Sequence, residues 1–311
     1  MNIIGNGASF NDIRVLAQAK GETSPFINFV FNFIVLPASY VIEILAVADV
    51  FRGKKDKKLF VIAILLIILR TISDGGRGQI VDFLLFLFIG HSLSRNKKHE
   101  KDSQGKRKFL RYSFVIIAAL IVLLLIVTVQ RSSSGVFRIM YFYLSMPPTM
   151  LDYWSNIIDS SSGQWFGLIC ANGLLFVVAY LIKNMFGFSS YPSFVKEPYD
   201  LIARTDSQWI AINNGGTTAN ADVTIFWFLY ADFGFAGVIV GCLLYGLVVR
   251  MSYNYEREKA DTRSLAFYLF IFWTLFYSFI RLQFVKSYVI IMIIMLAIAF
   301  RPISKKKISN N

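Results

Sequence analysis

Isolated arginines are the residues of this sequence best suited to chemistry on an anionic substrate. Arg77 lies in the stretch Asp74-Gly75-Gly76-Arg77-Gly78, between two short apolar runs. The glycines let the backbone turn sharply and approach a ligand closely, and an arginine presents a planar fork of donors that suits a phosphate group. Two interpretations stay open: Arg77 binds phosphate, or it is a solvated arginine in a simple turn.

Arg131 and Arg138 form a second group of candidates. They stand on either side of a Ser-Ser-Ser-Gly run and precede aromatic residues at 141–143. Aromatic rings stack on sugars, so this group could line a glycan groove and bind the substrate. The tyrosines could equally form an interfacial belt, which is the usual role of tyrosine and tryptophan at a membrane surface.

A third group lies in the long polar stretch 189–222, which its composition predicts to be a loop. Arg204 is a candidate catalytic cation there, and Asp206 and Trp209 are candidates for binding the substrate. Asp206 and Asp222 are also the two candidates for a general base, and nothing in the sequence chooses between them. Loops on rigid scaffolds commonly carry function, although a polar loop could also be solvated and bind no ligand.

Two further charged residues lie inside apolar runs. Arg70 is expected to snorkel towards the membrane interface, or else to face a cavity. Asp232 is expected to be structural, because it precedes the run 233–250 and could cap that helix by accepting bonds from its free N–H groups. Gly237 and Gly241 have the GxxxG spacing that permits close helix packing.

Composition indicates what kind of element must position these residues. The chain has 311 residues, of which 56% are hydrophobic and 16% charged, with 30 phenylalanines. A soluble domain is about 45–50% apolar and about 25% charged, so a membrane protein is indicated. Continuous apolar runs exclude a β-barrel, whose strands alternate, and a disordered chain, which needs low hydrophobicity. No Cys or His spacing suggests a disulfide framework, a bound metal or another cofactor.

Several apolar runs are candidate membrane spans. A helix rises 1.5 Å per residue across a hydrocarbon core of about 30 Å, so the shortest runs need local thinning or a protein-lined cavity. The predicted fold class is all-α: a polytopic helical membrane protein with about 7–8 transmembrane or re-entrant helices and a large extracytoplasmic loop region. The runs are 26–50, 59–73, 80–93, 112–129, 165–182, 224–249, 265–280 and 287–300.

The basic residues predict the orientation of these spans. Most of the 32 Lys and Arg lie in four groups, at 52–58, 95–111, 250–263 and 301–307. The positive-inside rule places all four groups in the cytoplasm, so residues 74–79 and 189–222 would face outside. Topology therefore explains the formal net charge of +13 better than binding to nucleic acid does.

One integral membrane domain, 1–311, is predicted. Its parts are N-terminal spans (26–129), an extracytoplasmic loop region (130–222), C-terminal spans (223–300) and a cytoplasmic tail (301–311). The loop region begins and ends outside yet contains the run 165–182. It is therefore expected to hold re-entrant or interfacial helices, since non-helical backbone at membrane depth must line protein or water. The polar start, 1–24, has no signal peptide and suggests that the chain begins partway through a longer domain.

The C-terminal half carries a motif that resembles a known family. Thr224 is followed at 226–237 by the run FWFLYADFGFAG. This is similar to the pattern of the oligosaccharide repeat unit polymerases that build O-antigen and capsule, which is Asn-x-Tyr-Thr, several apolar residues, then Asp-Phe-Gly-x-x-Gly. Asp232, Gly234 and Gly237 match it and would form its structural motif. Val223 stands where tyrosine is usual, and family members have several more N-terminal spans.

The resemblance implies a multi-pass glycosyltransferase at the outer face of the bacterial cytoplasmic membrane. Its donor would be a repeat unit on polyprenyl diphosphate, and a hydroxyl of a second lipid-linked repeat unit would attack the first sugar of the donor. Without a metal, arginines would stabilise the charge on the leaving diphosphate. Arg77 and Arg204 are the candidate catalytic residues, and Arg131 and Arg138 are candidates for binding the substrate. Membrane lipid, a flippase and a chain-length regulator of the same pathway are the implied partners.

Three other functions remain open at the level of sequence. An O-antigen ligase moves finished glycan to a different acceptor, and nothing in the sequence identifies the acceptor. A transporter of an anionic solute would also use broken helices, glycines at membrane depth and outside arginines, although no paired inverted repeats are visible. A non-catalytic scaffold for polysaccharide assembly is the third alternative.

Overall fold

The computed structural model describes residues 25–53, 56–74, 78–95, 122, 136–160, 163–211 and 218–301. This part of the chain is mostly helical, so the all-α prediction is confirmed. The helices are α1 (Pro25–Val30), α2 (Leu36–Arg52), α3 (Lys57–Asp74), α4 (Gly78–Arg95), α5 (Val136–Ser160), α6 (Asn172–Phe186), α7 (Ser193–Ser207), α8 (Thr224–Lys259), α9 (Thr262–Phe276) and α10 (Ser287–Ala299).

Short elements connect these helices. A π-helical turn, Phe31–Val35, joins α1 to α2, and two 3₁₀ turns, Tyr277–Phe279 and Gln283–Val285, lie between α9 and α10. Between α7 and α8, the strands β1 (Ile210–Ala211) and β2 (Thr218–Ala219) pair antiparallel, with Ile210 opposite Ala219.

Two helical stretches of the described chain, Phe31–Arg52 and Thr224–Lys259, are long and apolar enough to cross a membrane. Gly78–Ser94, Asn172–Phe186 and Ser287–Ala299 are shorter apolar helices. Each of the five overlaps an apolar run of the sequence, and Asn172–Phe186 overlaps the run 165–182 that was expected to be re-entrant or interfacial. The predicted span 112–129 lies outside the described residues apart from Val122.

The helix α2 is the centre of a first bundle, in which it packs against α3, α4, α9 and α10. A helix that is apolar on nearly every side is typical of a buried core. The complete burial of Ile44, Val47 and Ala48 agrees with this. Because α2 is enclosed all round, its polar residues Ser39 and Glu43 are buried as well.

A second core is built by residues of α5, α7 and α8, where the rings of Trp154 and Trp227 meet edge-on. The helix α7 lies inside the stretch 189–222, so the prediction of a loop is wrong for this part. Polar neighbours masked the amphipathic pattern of α7, whose inward residues recur every three or four positions. These residues are Val195, Pro198, Ile202 and Thr205.

The Asp-Phe-Gly motif breaks α8. Phe233 (φ −139°, ψ 17°) and Gly234 (φ 62°, ψ −154°) leave helical geometry, and the second pair of angles is accessible essentially to glycine alone. The bend turns the two parts of α8 towards each other. A Cβ on Gly237 would overlap the carbonyl oxygen of Leu229, and one on Gly241 would overlap the Leu229 side chain. The predicted GxxxG packing therefore occurs within α8 itself.

The cap predicted for Asp232 on the run 233–250 is wrong, because its carboxylate is bonded to a different segment. Its carboxylate oxygens accept the backbone N–H groups of Ile169 and Cys170 at 3.0 and 2.8 Å. The main-chain carbonyl of Asp232, released by the break, accepts the N–H of Phe166 at 3.0 Å. The turn that precedes α6 therefore docks on the break in α8 and satisfies the polar groups of both segments.

The described basic groups meet at one end of the first bundle. Arg52, at the end of α2, pairs with Glu256 of α8 at 2.9 Å and donates to the carbonyl oxygen of Leu93 in α4 at 3.2 Å. At the same end, the ring of Phe267 near the start of α9 packs 6.2 Å from that of Phe300. These contacts bring the ends of α2, α4 and α8 together, and the side of the membrane that the basic groups face stays a prediction.

Candidate functional site

Asp206 is the centre of a charged site at the opposite end of the bundle, beyond the last turn of α9. Arg281 donates from Nη1 to Oδ2 of Asp206 at 2.9 Å and from Nη2 to Oδ1 at 2.5 Å. Lys286 donates from Nζ to Oδ2 at 2.6 Å. Two cations thus converge on one carboxylate, and the group of three carries one surplus positive charge.

The connection between α9 and α10 supplies both cations, and a strained segment holds it in place. Arg281 also donates to the carbonyl oxygen of Ala221 at 3.0 Å, and the N–H of Thr224 donates to that of Ile280 at 2.9 Å. Ala221 (φ 74°) and Thr224 (φ 60°) have left-handed backbone. Such strain costs on the order of 1–3 kcal/mol and persists only where the surroundings fix it, as these two contacts do.

A cavity of about 550 Å³ adjoins this site. The rings of Phe29 and Phe33 each pack against that of Tyr180, at 5.3 and 5.0 Å between centroids, and Phe176 stacks on Tyr199 at 4.7 Å. All five rings line the cavity, and so do Asp206 and Lys286, whereas Arg281 does not. An aromatic wall that ends in a cation suits a ligand with an apolar or sugar portion and an anionic group.

The first turn of α6 holds the cavity walls together. A Cβ on Gly173 would overlap the carbonyl oxygen of Phe284, so only glycine allows α6 to approach the segment before Lys286 this closely. Beside it, Asn172 donates from Nδ2 to the carbonyl oxygen of Val195 at 3.2 Å, which links α6 to α7. These contacts help to fix Lys286 and α7 in the wall of the cavity.

The electrostatics of the site determine which groups can exchange protons. Burial alone would raise the pKa of Asp206, but Arg281 and Lys286 outweigh burial and hold that pKa below its ordinary value. Burial lowers the pKa of Lys286, and the charge of Arg281 adds to this effect, while Asp206 opposes it. Asp206 is therefore ionised and saturated with donors. It orients the two cations, and the alternative role of a general base does not fit it.

Asp222 is the carboxyl group better suited to accept a proton. It is 8% exposed and directly follows Ala221, whose carbonyl oxygen Arg281 holds. Burial raises the pKa of Asp222 to about 6, with a further contribution from Asp206 and opposition from Arg281. Asp222 does not line the cavity, so it stays a candidate for the general base on the strength of its pKa and its position beside Arg281.

Arg204 and Trp209 lie away from the cavity. Arg204 is exposed, 3.5 Å from Oε1 of Gln208, with its guanidinium carbon 5.9 Å from the Trp154 ring. Two positions along a helix correspond to about 200° of rotation, so Arg204 faces away from the side of α7 that carries Asp206. Trp209 is 62% exposed. Of the three candidates on this stretch, the structure brings only Asp206 to the cavity.

The remaining arginine candidates have different outcomes. Arg77 and Arg131 lie outside the described residues, and the backbone of Arg138 belongs to α5, so their roles stay predictions. Arg70 is buried, with its side chain 8% exposed and Nη1 donating to Oγ of Ser39 at 2.7 Å. The expectation that Arg70 snorkels to an interface is therefore wrong, because the bundle surrounds it and supplies polar partners.

Arg281 and Lys286 are the site residues that the sequence did not single out. A signal was available, since they are the two cations between the apolar runs 265–280 and 287–300, away from all four basic groups. Within the described residues, no group of three or more His, Cys, Asp or Glu could hold a metal ion.

Compared with models of known families, with curated proteins and with solved structures, the chain matches none. The fold and the site by themselves define a helical protein with two long apolar helices and an aromatic cavity. A doubly paired carboxylate holds two cations at the edge of that cavity.

Proposed function

We propose that this chain is a multi-pass protein of the bacterial cytoplasmic membrane. It polymerises oligosaccharide repeat units carried on polyprenyl diphosphate into O-antigen or capsular polysaccharide. The resemblance of the 224–237 motif suggests the reaction. The single observation that supports the site is the convergence of Arg281 and Lys286 on Asp206 at the edge of an aromatic cavity.

The chemistry of the cavity suits the proposed donor. Ligand pockets usually enclose about 300–1,000 Å³, and this cavity of about 550 Å³ falls within that range. The aromatic rings would contact the sugar or the first isoprene units of the donor. Lys286, at the wall, would bind the diphosphate, and Arg281 would add a fixed positive charge behind Asp206.

The reaction proceeds as one transfer at the anomeric carbon of the donor sugar. A hydroxyl of the acceptor repeat unit bonds to that carbon while its bond to the diphosphate oxygen breaks. The diphosphate leaves on its lipid with the bonding electron pair, and Lys286 stabilises the charge that develops on it. Asp222 takes the proton of the attacking hydroxyl. Arg77, which lies outside the described residues, stays a candidate for supplying further positive charge.

Complementation of cells that lack this gene tests the proposal, with glycan length as the readout. The wild-type gene should restore long polymer. Lys286→Met should leave single repeat units on the carrier lipid, because the leaving diphosphate loses its cation. Lys286→Arg should restore polymer in part, since it keeps the charge but alters the geometry. Lys196→Met, which removes an exposed lysine from α7, is the matched control and should polymerise normally.

The other outcomes separate the alternatives. Full-length polymer that accumulates on the carrier lipid of deleted cells would indicate an O-antigen ligase. Repeat units that stay on the cytoplasmic face would indicate a transporter. A normal polymer ladder with Lys286→Met, at a protein level equal to wild type in the membrane, would remove the cavity from the reaction.

Orientation in the membrane is tested separately by cysteine labelling. In a background with Cys170→Ser and Cys242→Ser, single cysteines are placed at two exposed positions, Ser190→Cys and Glu258→Cys. An impermeant reagent added to intact cells should label position 190 and leave position 258 unlabelled, because the basic groups are predicted to face the cytoplasm. The reverse pattern would place the cavity on the wrong side for an outer-face polymerase.

A further inference from the structure

A second charged cluster lies in the interior of the first bundle and takes no part in the function proposed above. It consists of Glu43 of α2, Arg70 of α3 and Asp82 of α4, which are 0%, 7% and 1% exposed. We refer to these three residues as the interior charge cluster. The side chains in contact with it include Ser39, Tyr40, Trp273 and Tyr277, which carry hydroxyl and ring groups.

The two acids of the cluster have opposite hydrogen-bond environments. Oδ1 of Asp82 accepts the hydroxyl of Tyr277 at 2.6 Å and Nε1 of Trp273 at 3.1 Å. Donors aimed at a carboxylate favour its ionised form. Among the described residues, neither carboxylate oxygen of Glu43 accepts a hydrogen bond, although both oxygens are fully buried. A charged Glu43 would therefore be desolvated without compensation.

Arg70 can neutralise only one of the two acids. Its Nη1 donates to Oγ of Ser39 at 2.7 Å and stays 3.7 Å from Oε1 of Glu43, beyond hydrogen-bond reach. Its guanidinium carbon lies 4.8 Å from the centre of the Tyr40 ring. With both acids ionised, the cluster would carry one uncompensated negative charge in a closed apolar bundle, which is strongly unfavourable.

We propose that the interior charge cluster is a proton-binding site, with the proton on Glu43 and the negative charge on Asp82. The proton removes the surplus charge, and it resides on the acid that lacks hydrogen-bond donors. Glu43 then needs no ion pair, which agrees with the 3.7 Å separation from Arg70. This inference stands independently of the polymerase proposal, because it uses none of the residues assigned to the transfer reaction.

A pair of tyrosines connects the proton-binding site to the cavity. The rings of Tyr40 and Tyr288 are stacked, with centroids 6.1 Å apart and planes inclined by 12°. Tyr288 lines the cavity, and Tyr40 contacts Arg70. Loss of the proton from Glu43 would draw Arg70 towards the new carboxylate and away from Ser39 and Tyr40.

Infrared spectroscopy of the full chain in lipid nanodiscs tests the proposal directly. A protonated carboxyl group has a C=O stretch well separated from the bands of an ionised carboxylate, and the stretch shifts in D₂O. Wild-type protein slightly above neutral pH should show one such band, and Glu43→Gln should lose it. Asp82→Asn should weaken it, because Arg70 then has only Glu43 to balance its charge, whereas the exposed-site control Glu258→Gln should keep it. Absence of the band in wild type, or its persistence in Glu43→Gln, would overturn the proposal.

Proton linkage supplies a second measurement. An unfolded glutamate has a pKa of about 4.3, so above that pH unfolding would release the proton held on Glu43. Stability then falls as pH rises above that value. The melting temperature of wild type should fall with rising pH more steeply than that of Glu43→Gln, which keeps a neutral side chain of the same shape. Equal slopes would contradict the proposal.

Sodium is the competing occupant, and a salt titration distinguishes it. The melting temperature of wild type should respond equally to sodium chloride and choline chloride at one ionic strength. Stabilisation by sodium chloride alone, lost in Glu43→Gln, would identify a bound sodium ion and overturn the assignment of a proton.

Discussion

Arg281 lies alongside Asp206 with both ends of its guanidinium engaged: Nη1 is 2.9 Å from Oδ2 and Nη2 is 2.5 Å from Oδ1. The two residues are 75 positions apart in the chain, so the contact joins α7 to the connection between α9 and α10. A bidentate pair of this kind fixes direction as well as charge. It therefore holds α7 next to the segment that carries Lys286, which also binds Asp206.

Asp206→Asn should destabilise the folded protein by about 1–3 kcal/mol, because it removes the negative charge and one of the two oxygens that bind Arg281 and Lys286. Denaturant unfolding in detergent measures this, and Asp200→Asn, an exposed change on the same helix, is the control. The partners lower the pKa of Asp206, so its stabilisation is present at neutral pH and lost as pH falls through the lowered pKa. Equal stability of the two variants at neutral pH would show that the pair is dispensable.

Asp222 should set the acid limb of the pH profile. Its pKa is raised to about 6, and a base must be deprotonated, so polymer formation by isolated membranes should rise with pH through that region. Asp222→Asn should lower the rate by roughly 10²–10⁴-fold, the usual contribution of a general base, and abolish this limb. An unchanged acid limb in Asp222→Asn would assign the titration to another group.

Gly234 and Gly246 give a matched pair of substitutions within α8. Gly234→Ala should cost about 1–3 kcal/mol, because its backbone angles are strained for any residue with a Cβ. The added Cβ would also lie 2.6 Å from Nε2 of Gln164. Gly246→Ala meets nothing within 4 Å and should be neutral or stabilise the helix by up to about 1 kcal/mol. Thermal unfolding compares the two, and equal effects would argue against the break.

Asp232→Ala should reduce folding yield rather than chemistry. The change leaves the N–H groups of Ile169 and Cys170 without acceptors, at a cost of about 1–3 kcal/mol for each buried donor. The fraction recovered as monodisperse protein is the measurement, with the exposed Asp152→Ala as control. A well-folded, normally expressed Asp232→Ala protein that makes no polymer would instead place Asp232 in the reaction.

Apolar runs were sufficient to predict most helices, because a long unbroken run can bury itself only as a helix in a bundle or in lipid. Apolar runs could not predict the hydrogen-bond partners of Asp232 at the break in α8. Asp232 bonds to Ile169 across 63 positions, and only tertiary packing brings a turn to that point. For the same reason, the sequence indicated Asp206 but not its partners Arg281 and Lys286, which are 75 and 80 positions away. Arg204 was a candidate because it is a cation in a polar stretch. Whether it faces the cavity depends on which side of α7 is buried, and the sequence alone did not indicate that side.

The ion pair between Arg52 and Glu256 also constrains how the protein is made. The two residues are 204 positions apart, and at about 5–20 residues per second the ribosome needs roughly 10–40 s to travel between them. During that interval the cation at the end of α2 lacks its carboxylate partner, although the carbonyl oxygen of Leu93 in α4 is made earlier. Once α8 is made, Glu256 pairs with Arg52 and stabilises the end of α2. A chain truncated before Glu256 should therefore be degraded by quality-control proteases.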